Sequence, residues 1–291
     1  MKKKTGKIMI LFALLMFMLC AQALMGQSKP VTAQDFNERG IGYFKNKDYV
    51  KAIADFTQAI KLAPDDPVLY VNRGHAYVLI KEFDKAIADL TQSIKMDASE
   101  PFRFYLRGIA YAWKENYNKA IADYTQAFKL DPSNLDVLED RGYLYLKMEE
   151  YNKAIADYSQ LIKLDPKNPE RYIKRGEAYS EMEDFTKAIA DFNQALKLDK
   201  KNLDALFNRG LAYLDNGDYK KAIADFTQIL KIEDFPMVYY HRGNAYFSIK
   251  DYKKAAADYE TALKAAKPGT IDSMAYEGAL QRTREAQQGK K

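Results

Sequence analysis

The chain has 291 residues, 47% of them hydrophobic and 29% charged, with a single cysteine. One thiol, Cys20, excludes a disulfide framework and a thiolate metal site. The net charge of +5 is concentrated at the start, where Lys2, Lys3, Lys4 and Lys7 precede the first acidic residue, Asp35. The remainder is close to neutral, which argues against a nucleic-acid partner or a basic membrane-binding surface.

Residues 1–26 read as an export signal. Lysines precede an uncharged apolar run from Ile8 to Ala21, and Ala21-Gln22-Ala23 offers the alternating small residues of a cleavage site. Cleavage after Ala23 or after Gly26 fits this pattern. An uncleaved anchor also fits, because the apolar stretch continues to Met25 with only Gln22 interrupting it, nearly enough to span a bilayer. Lipidation at Cys20 is a third reading, opposed by the bulk of Leu19. All three place the rest of the chain across or on the inner membrane: in the periplasm or cell envelope, secreted, or membrane-anchored. The membrane is expected to matter only through this segment.

From residue 33 onward the sequence repeats itself. The units are 33–66, 67–100, 101–134, 135–168, 169–202, 203–235 and 236–269, followed by a final helix and polar tail over 270–291. Each unit carries Arg-Gly: Arg39-Gly40, Arg73-Gly74, Arg107-Gly108, Arg141-Gly142, Arg175-Gly176, Arg209-Gly210 and Arg242-Gly243. The glycines are 34 residues apart except at the last step, which is 33. Tyr43, Tyr77, Tyr111, Tyr145, Tyr179, Tyr213 and Tyr246 follow each glycine by three. Ala52, Ala86, Ala120, Ala154, Ala188, Ala222 and Ala255 come nine further on.

Each unit predicts two helices. In the third, Phe102 to Trp113 and Tyr117 to Leu130 carry apolar residues at three- and four-residue spacing around the polar turn Lys114-Glu115-Asn116. Thr32 is placed to cap the first helix, with Asp35 three residues on. Loops such as Leu130-Asp131-Pro132 and Leu164-Asp165-Pro166 end the units, since proline cannot continue a helix. Each glycine costs its helix about 1 kcal/mol against alanine. Seven in one register therefore predict a close approach of the two helices, glycine facing the alanine of the second. Phe56, Leu90, Tyr124, Tyr158, Phe192, Phe226 and Tyr259 are expected to fill the space beside it. Residues 271–286 predict a capping helix with Ile271, Met274, Ala275 and Leu280 facing inward and Gln281, Arg282, Arg284 and Glu285 in water.

This frame resembles the tetratricopeptide (TPR) repeat, a 34-residue helix–turn–helix unit. In the third unit the signature reads Phe104, Arg107-Gly108, Tyr111, Ala120, Tyr124 and Pro132, and the resemblance covers 33–269. The tryptophan place is taken by Phe36, Tyr70, Phe104, Leu138, Tyr172, Leu206 and Tyr239, while the leucine place is arginine in every unit. The resemblance implies an all-α, right-handed superhelical solenoid of seven TPR units with a C-terminal capping helix.

Seven arginines in register admit two readings: an array of anion contacts, or a structural ladder. Asp55, Asp89, Asp123, Asp157, Asp191, Asp225 and Asp258 recur sixteen residues after Arg39, Arg73, Arg107, Arg141, Arg175, Arg209 and Arg242. Matched acids favour the ladder, formed within a unit or between neighbours. Lys51, Lys85, Lys119, Lys153, Lys187, Lys221 and Lys254 recur in the first turn of the second helix and read as a solvated face.

In the TPR family the first helix of each unit lines a concave groove that holds extended or helical partners. The resemblance carries that role to Val68, Val71, Asn72 and His75, then to Phe102, Tyr105, Ile109 and Trp113. The fourth and fifth units supply Glu139, Asp140 and Tyr143, and Ile173, Lys174 and Glu177. The last two supply Phe207, Asn208 and Leu211, and Tyr240, His241 and Asn244. Tyr105, Trp113 and Phe207 are the leading aromatic anchors, with groove and core both open for Trp113. A chaperone-tail clamp is not expected: Asn37 and Ile41 stand where that subset needs lysine and asparagine, Phe102 and Leu106 stand where it needs cations, and Asn72 alone matches.

No enzyme is expected and no cofactor. The two histidines, His75 and His241, lie five units apart, and there is no phosphate-binding glycine loop or metal-ligand spacing. Base-by-base RNA reading, which some helical repeats perform, is opposed by the near-neutral body and the export signal. Two functions remain: an exported interaction scaffold that holds a protein or peptide in its groove, and a self-associating component of an envelope complex.

Overall fold

The structure, a computed structural model, describes residues 31–289; the expected export signal lies outside them. Among the described residues there are fifteen helices and no strand. They form seven successive hairpins and a final helix. The first hairpin is α1 (Ala33–Lys45) with α2 (Tyr49–Leu62), the second α3 (Pro67–Leu79) with α4 (Phe83–Met96). Then come α5 (Pro101–Trp113) with α6 (Tyr117–Leu130), and α7 (Leu135–Lys147) with α8 (Tyr151–Leu164). The fifth hairpin is α9 (Pro169–Glu181) with α10 (Phe185–Leu198), the sixth α11 (Leu203–Asp215) with α12 (Tyr219–Ile229). The seventh is α13 (Pro236–Ser248) with α14 (Tyr252–Ala265), and α15 (Ile271–Gln287) closes the chain. No described helix is long and apolar enough to cross a membrane.

Local chemistry sets these boundaries. Thr32 and Asp35 form a reciprocal capping box at α1, satisfying donors that the first helical turn leaves open. Pro67, Pro101, Pro169 and Pro236 stand at helix starts, where a missing N–H costs nothing. Each hairpin turn contains one residue in the left-handed region: Lys47, Lys81, Glu115, Glu149, Glu183, Gly217 and Lys250, with φ between 58° and 80°. Only the sixth hairpin uses glycine there, the residue that adopts this geometry without strain.

The helices pack into two compact units divided between Asp123 and Tyr124. In the first, each hairpin closes on itself and stacks on the next through its second helix, with α1, α3 and α5 side by side. The second unit repeats this from α7 to α15, with a core around Phe192, Phe226, Leu206 and Ile229. The seven alanines from Ala52 to Ala255 are all fully buried.

Two packing expectations are corrected. The repeat glycines do not face those alanines. A Cβ on Gly176 would stand 2.6 Å from Phe192, on Gly210 2.6 Å from Phe226, and on Gly243 2.7 Å from Tyr259. The glycine is therefore the seat for the large ring of the second helix, sixteen residues later. In α15, Ile271 is 82% exposed, Met274 58% exposed, and Ala275 is also outside. The buried side is Ser273, Tyr276, Ala279, Leu280 and Thr283, so only Leu280 of the expected inward set points to the core. The helix is rotated so that Tyr276 packs against Tyr240, ring centroids 5.0 Å apart.

Candidate interaction surface

The recurring arginines meet the recurring aspartates inside their own hairpins. Nε and one terminal nitrogen of Arg39, Arg73, Arg107, Arg141, Arg175, Arg209 and Arg242 donate to the two carboxylate oxygens of Asp55, Asp89, Asp123, Asp157, Asp191, Asp225 and Asp258. All fourteen distances are 2.6–2.8 Å. This is the two-pronged pairing that suits a planar guanidinium to a carboxylate. The seven aspartates are buried.

A further contact escapes the sequence reading. From the second hairpin onward the other terminal nitrogen donates backwards to the preceding repeat. Its acceptors are Thr57, Thr91, Thr125, Ser159, Asn193 and Thr227, at 2.6–3.2 Å. Each arginine thus ties its own two helices together and latches them to the repeat before. Among the described residues Arg39 has no such latch, and its side chain is 56% exposed. At the far end Glu260 follows Asp258 by the same two residues, and Arg284 of α15 donates to it at 2.9 Å. These arginines are consumed internally and are not offered as an anion-binding array.

The recurring lysines are exposed but not merely solvated. Each ammonium, from Lys51 to Lys254, lies 5.1–5.7 Å from the ring of the repeat tyrosine, Tyr43 to Tyr246. All but Lys119 also pair with the acidic residue three positions earlier, such as Asp184 of Lys187 at 2.6 Å.

The residues expected on the groove lie on the first helices and differ from repeat to repeat. In the first unit Val71 and Ile109 pack on Leu90 and Leu106. His75 sits between Phe44 at 4.8 Å and Phe102 at 5.4 Å, and burial lowers its pKa. Asn72 donates to Asn37 at 2.9 Å, and Tyr105 is half-buried. Trp113 is outside the core, 64% exposed, lying flat on Phe83 with Lys81 beside it.

In the second unit Tyr143 is 48% exposed. Phe207 and Leu211 are half-buried against the core, whereas Ile173, expected on the groove, is fully buried and belongs to that core. Its position turns it toward Phe192 and Leu206 and away from solvent. His241 stands among Phe207, Phe226 and Tyr240, its Nδ1 buried without a hydrogen-bond partner and its pKa lowered by burial. Tyr240 spans Tyr259 and Tyr276. Among the described residues no group of His, Cys, Asp and Glu could hold a metal ion.

Tandem antiparallel helix hairpins with a repeating internal frame and a variable first-helix face define a class of helical-repeat proteins. Tetratricopeptide-repeat families match residues 33–66, 68–100, 102–134, 142–183, 173–236 and 236–266. The chain belongs to the tetratricopeptide repeat proteins.

Solved structures agree on the fold. The C-terminal part of a TPR repeat-containing protein from Cytophaga hutchinsonii aligns with TM-score 0.71 at 20% identity, over 82% of this chain and 98% of that one. A tetratricopeptide repeat protein from Parabacteroides merdae gives 0.59 at 18% identity, over 87% and 98%. YrrB, a TPR protein with an unusual peptide-binding site, gives 0.58 at 22% identity, over 67% and 97%. No curated protein matches the chain in sequence. Proteins of this family are in general interaction scaffolds.

Proposed function

We propose that the protein is an exported, non-enzymatic scaffold of the cell envelope that holds a protein or peptide in the groove lined by its first helices. One observation carries this reading. The internal contacts recur from repeat to repeat, whereas the first-helix faces differ and leave large apolar groups in water, among them Phe102, Trp113 and Tyr143. Side chains of that kind are the usual anchors of a binding partner. YrrB, with the same fold, is described by its peptide-binding site. The test is capture of partners from the native envelope by the wild-type chain and by Tyr105→Ala and Phe207→Ala. Loss of a specific partner at unchanged helicity is expected; full recovery by both variants would count against the groove. Export is tested by sequencing the N-terminus of the mature protein, with a start at Leu24 or Gln27 expected.

Self-association is the second reading, motivated by the exposed Ile271 and Met274 on the closing helix. A mass in solution equal to one chain at every concentration would remove it.

A further inference from the structure

Helix α15 keeps the register of a first helix although it keeps almost none of the repeat residues. Glu277-Gly278 takes the place of Arg242-Gly243, Met274 that of Tyr239 and Gln281 that of Tyr246. The match shows in burial. Ser273 and Leu280, five residues before the glycine and two after it, are buried, as Val238 and Ala245 are in the seventh hairpin. In its packing on α14, α15 is therefore the first helix of an eighth repeat.

No second helix faces it among the described residues. All seven hairpins turn back seven residues after the glycine, through a left-handed residue such as Lys250, whereas Glu285 at that place is still helical. In six hairpins a Cβ on the repeat glycine would meet the large residue of the second helix at 2.6–3.2 Å. On Gly278 the nearest heavy atom is a terminal nitrogen of Arg282, at 3.7 Å. The seat that takes a ring elsewhere is open to solvent here. Ile271, Met274 and Ala275 are exposed beside it, at the three- and four-residue spacing of one side of a helix.

The repeat frame fixes what fits there. The occupant is a helix antiparallel to α15 with a large apolar side chain entering at Gly278. Its charge is the reverse of that on the repeats' own second helices. Those carry an aspartate directly before the large residue, forked onto the repeat arginine. In α15 the arginine's place belongs to Glu277, which is exposed and makes no ion pair or hydrogen bond among the described residues. Arg284, on the same hollow, is held by Glu260 at 2.9 Å, and Lys264 forms no ion pair with Glu277. An aspartate brought there would meet a like charge, a lysine or arginine an opposite one. A second copy of this chain does not supply such a helix. Its second helices all place aspartate before the large residue and bury both, and the one aromatic ring of its α15, Tyr276, is buried.

We propose that α15 is a docking face for an amphipathic helix of another protein, one in which Lys or Arg directly precedes Phe, Tyr or Leu, and which completes the eighth hairpin in trans. Recognition of this kind reads a few anchors along one helix face. The surface is separate from the groove and does not rest on the groove reading.

The test uses the full chain and fluorescein-labelled peptides of residues 252–265, the second helix of the seventh hairpin, stapled on their solvent side because so short a helix is marginal alone. Binding is read by fluorescence polarisation. The Asp258→Lys peptide is expected to bind about tenfold more tightly than the native peptide, a preference worth ~1.4 kcal/mol. Adding Tyr259→Ala to it should remove binding. In the protein, Glu277→Arg should invert the preference toward the native peptide by restoring the arginine–aspartate fork. Gly278→Leu should abolish binding of every peptide at unchanged helicity, since its side chain fills the seat and meets nothing closer than 3.7 Å at its Cβ. No binding of the Asp258→Lys peptide, equal binding of the two charge forms, or binding that survives Gly278→Leu overturns the proposal. So does a dimer in sedimentation that Gly278→Leu dissociates, which would give this face to a second copy.

Discussion

From the second hairpin onward each repeat guanidinium makes three directed bonds, and they are unequal. In the fifth hairpin Arg175 gives two to the buried carboxylate of Asp191 and one to the hydroxyl of Ser159. Hydrogen bonds to a charged partner are worth about 1.5–3 kcal/mol and neutral ones about 0.5–1.5 kcal/mol. Asp191→Asn should therefore cost ~2 kcal/mol in urea unfolding and Ser159→Ala less than half of that. Arg175→Lys should resemble Asp191→Asn, because an ammonium cannot reproduce the fork; wild-type stability in Arg175→Lys would make the fork irrelevant. The aspartate was legible in the sequence because it recurs without exception. The third acceptor was not, because the position alternates between Thr, Ser and Asn, and only geometry shows that all three present an oxygen. The histidines give a pH signature. Burial lowers the pKa of His75 and His241 in the folded chain, so the unfolded chain binds more protons as pH falls through about 6.5. Their stabilising contribution is present above that pH and is lost below it. Thermal unfolding should weaken between pH 7 and 5, and less so in His241→Phe, whose ring has no Nδ1 to leave without a partner. Carboxylates such as Asp97, held at about 2 by Ser99 and Arg103, lose their contribution only in stronger acid. An unchanged midpoint over that window in the wild type would contradict this assignment.

At the scale of helices, the repeat glycines decide how closely a hairpin closes. Gly176→Ala would place a methyl 2.6 Å from Phe192, a ring buried on all sides, and should cost about 1–3 kcal/mol by overpacking. Gly42, in α1, has nothing within 4 Å of its own added Cβ. Gly42→Ala should therefore stabilise by up to ~1 kcal/mol through helix propensity alone. Opposite signs from the same substitution, read as urea midpoints, separate packing from propensity; two gains would show that the ring simply moves aside. Helix existence was legible because apolar residues recur at three and four, and Thr32 and the prolines punctuate the ends. What the small residue faces was not, since spacing along a helix says nothing of the size of the group across from it. The rotation of α15 was equally hidden: it occurs once, so no second copy marks which of its apolar residues point inward, and Ile271 and Met274 read as core by composition alone. The turns add a third case. Six of seven use Lys or Glu with positive φ, and Gly217 alone is relaxed there. Gly217→Ala should cost about 1–2 kcal/mol for that geometry.

Across the whole molecule, stability is distributed along the chain rather than gathered at one centre. Every described contact of the frame is either within a hairpin or with a neighbour, as the Arg–Asp forks and the backward latches show. In such arrays the free energy behaves as a sum of repeat and nearest-neighbour terms, and the ends are the first to open. The last repeat is protected by α15, through Tyr276 on Tyr240, Leu280 in the core around Tyr259, and Arg284 on Glu260. Tyr276 is 5% exposed, so Tyr276→Ala removes a buried ring and should cost ~3 kcal/mol locally. Because the loss is confined to one end, it should not appear as a uniform decrease. Native-state hydrogen exchange should show protection falling first in α15, then in α13 and α14, while α1 to α4 keep wild-type rates. Fraying of the final repeat would then occur at a denaturant concentration that leaves the first hairpins intact. An equal fall in protection along all fifteen helices would instead mean that the chain unfolds as one cooperative block, and that the latches couple neighbours more strongly than their individual bonds suggest.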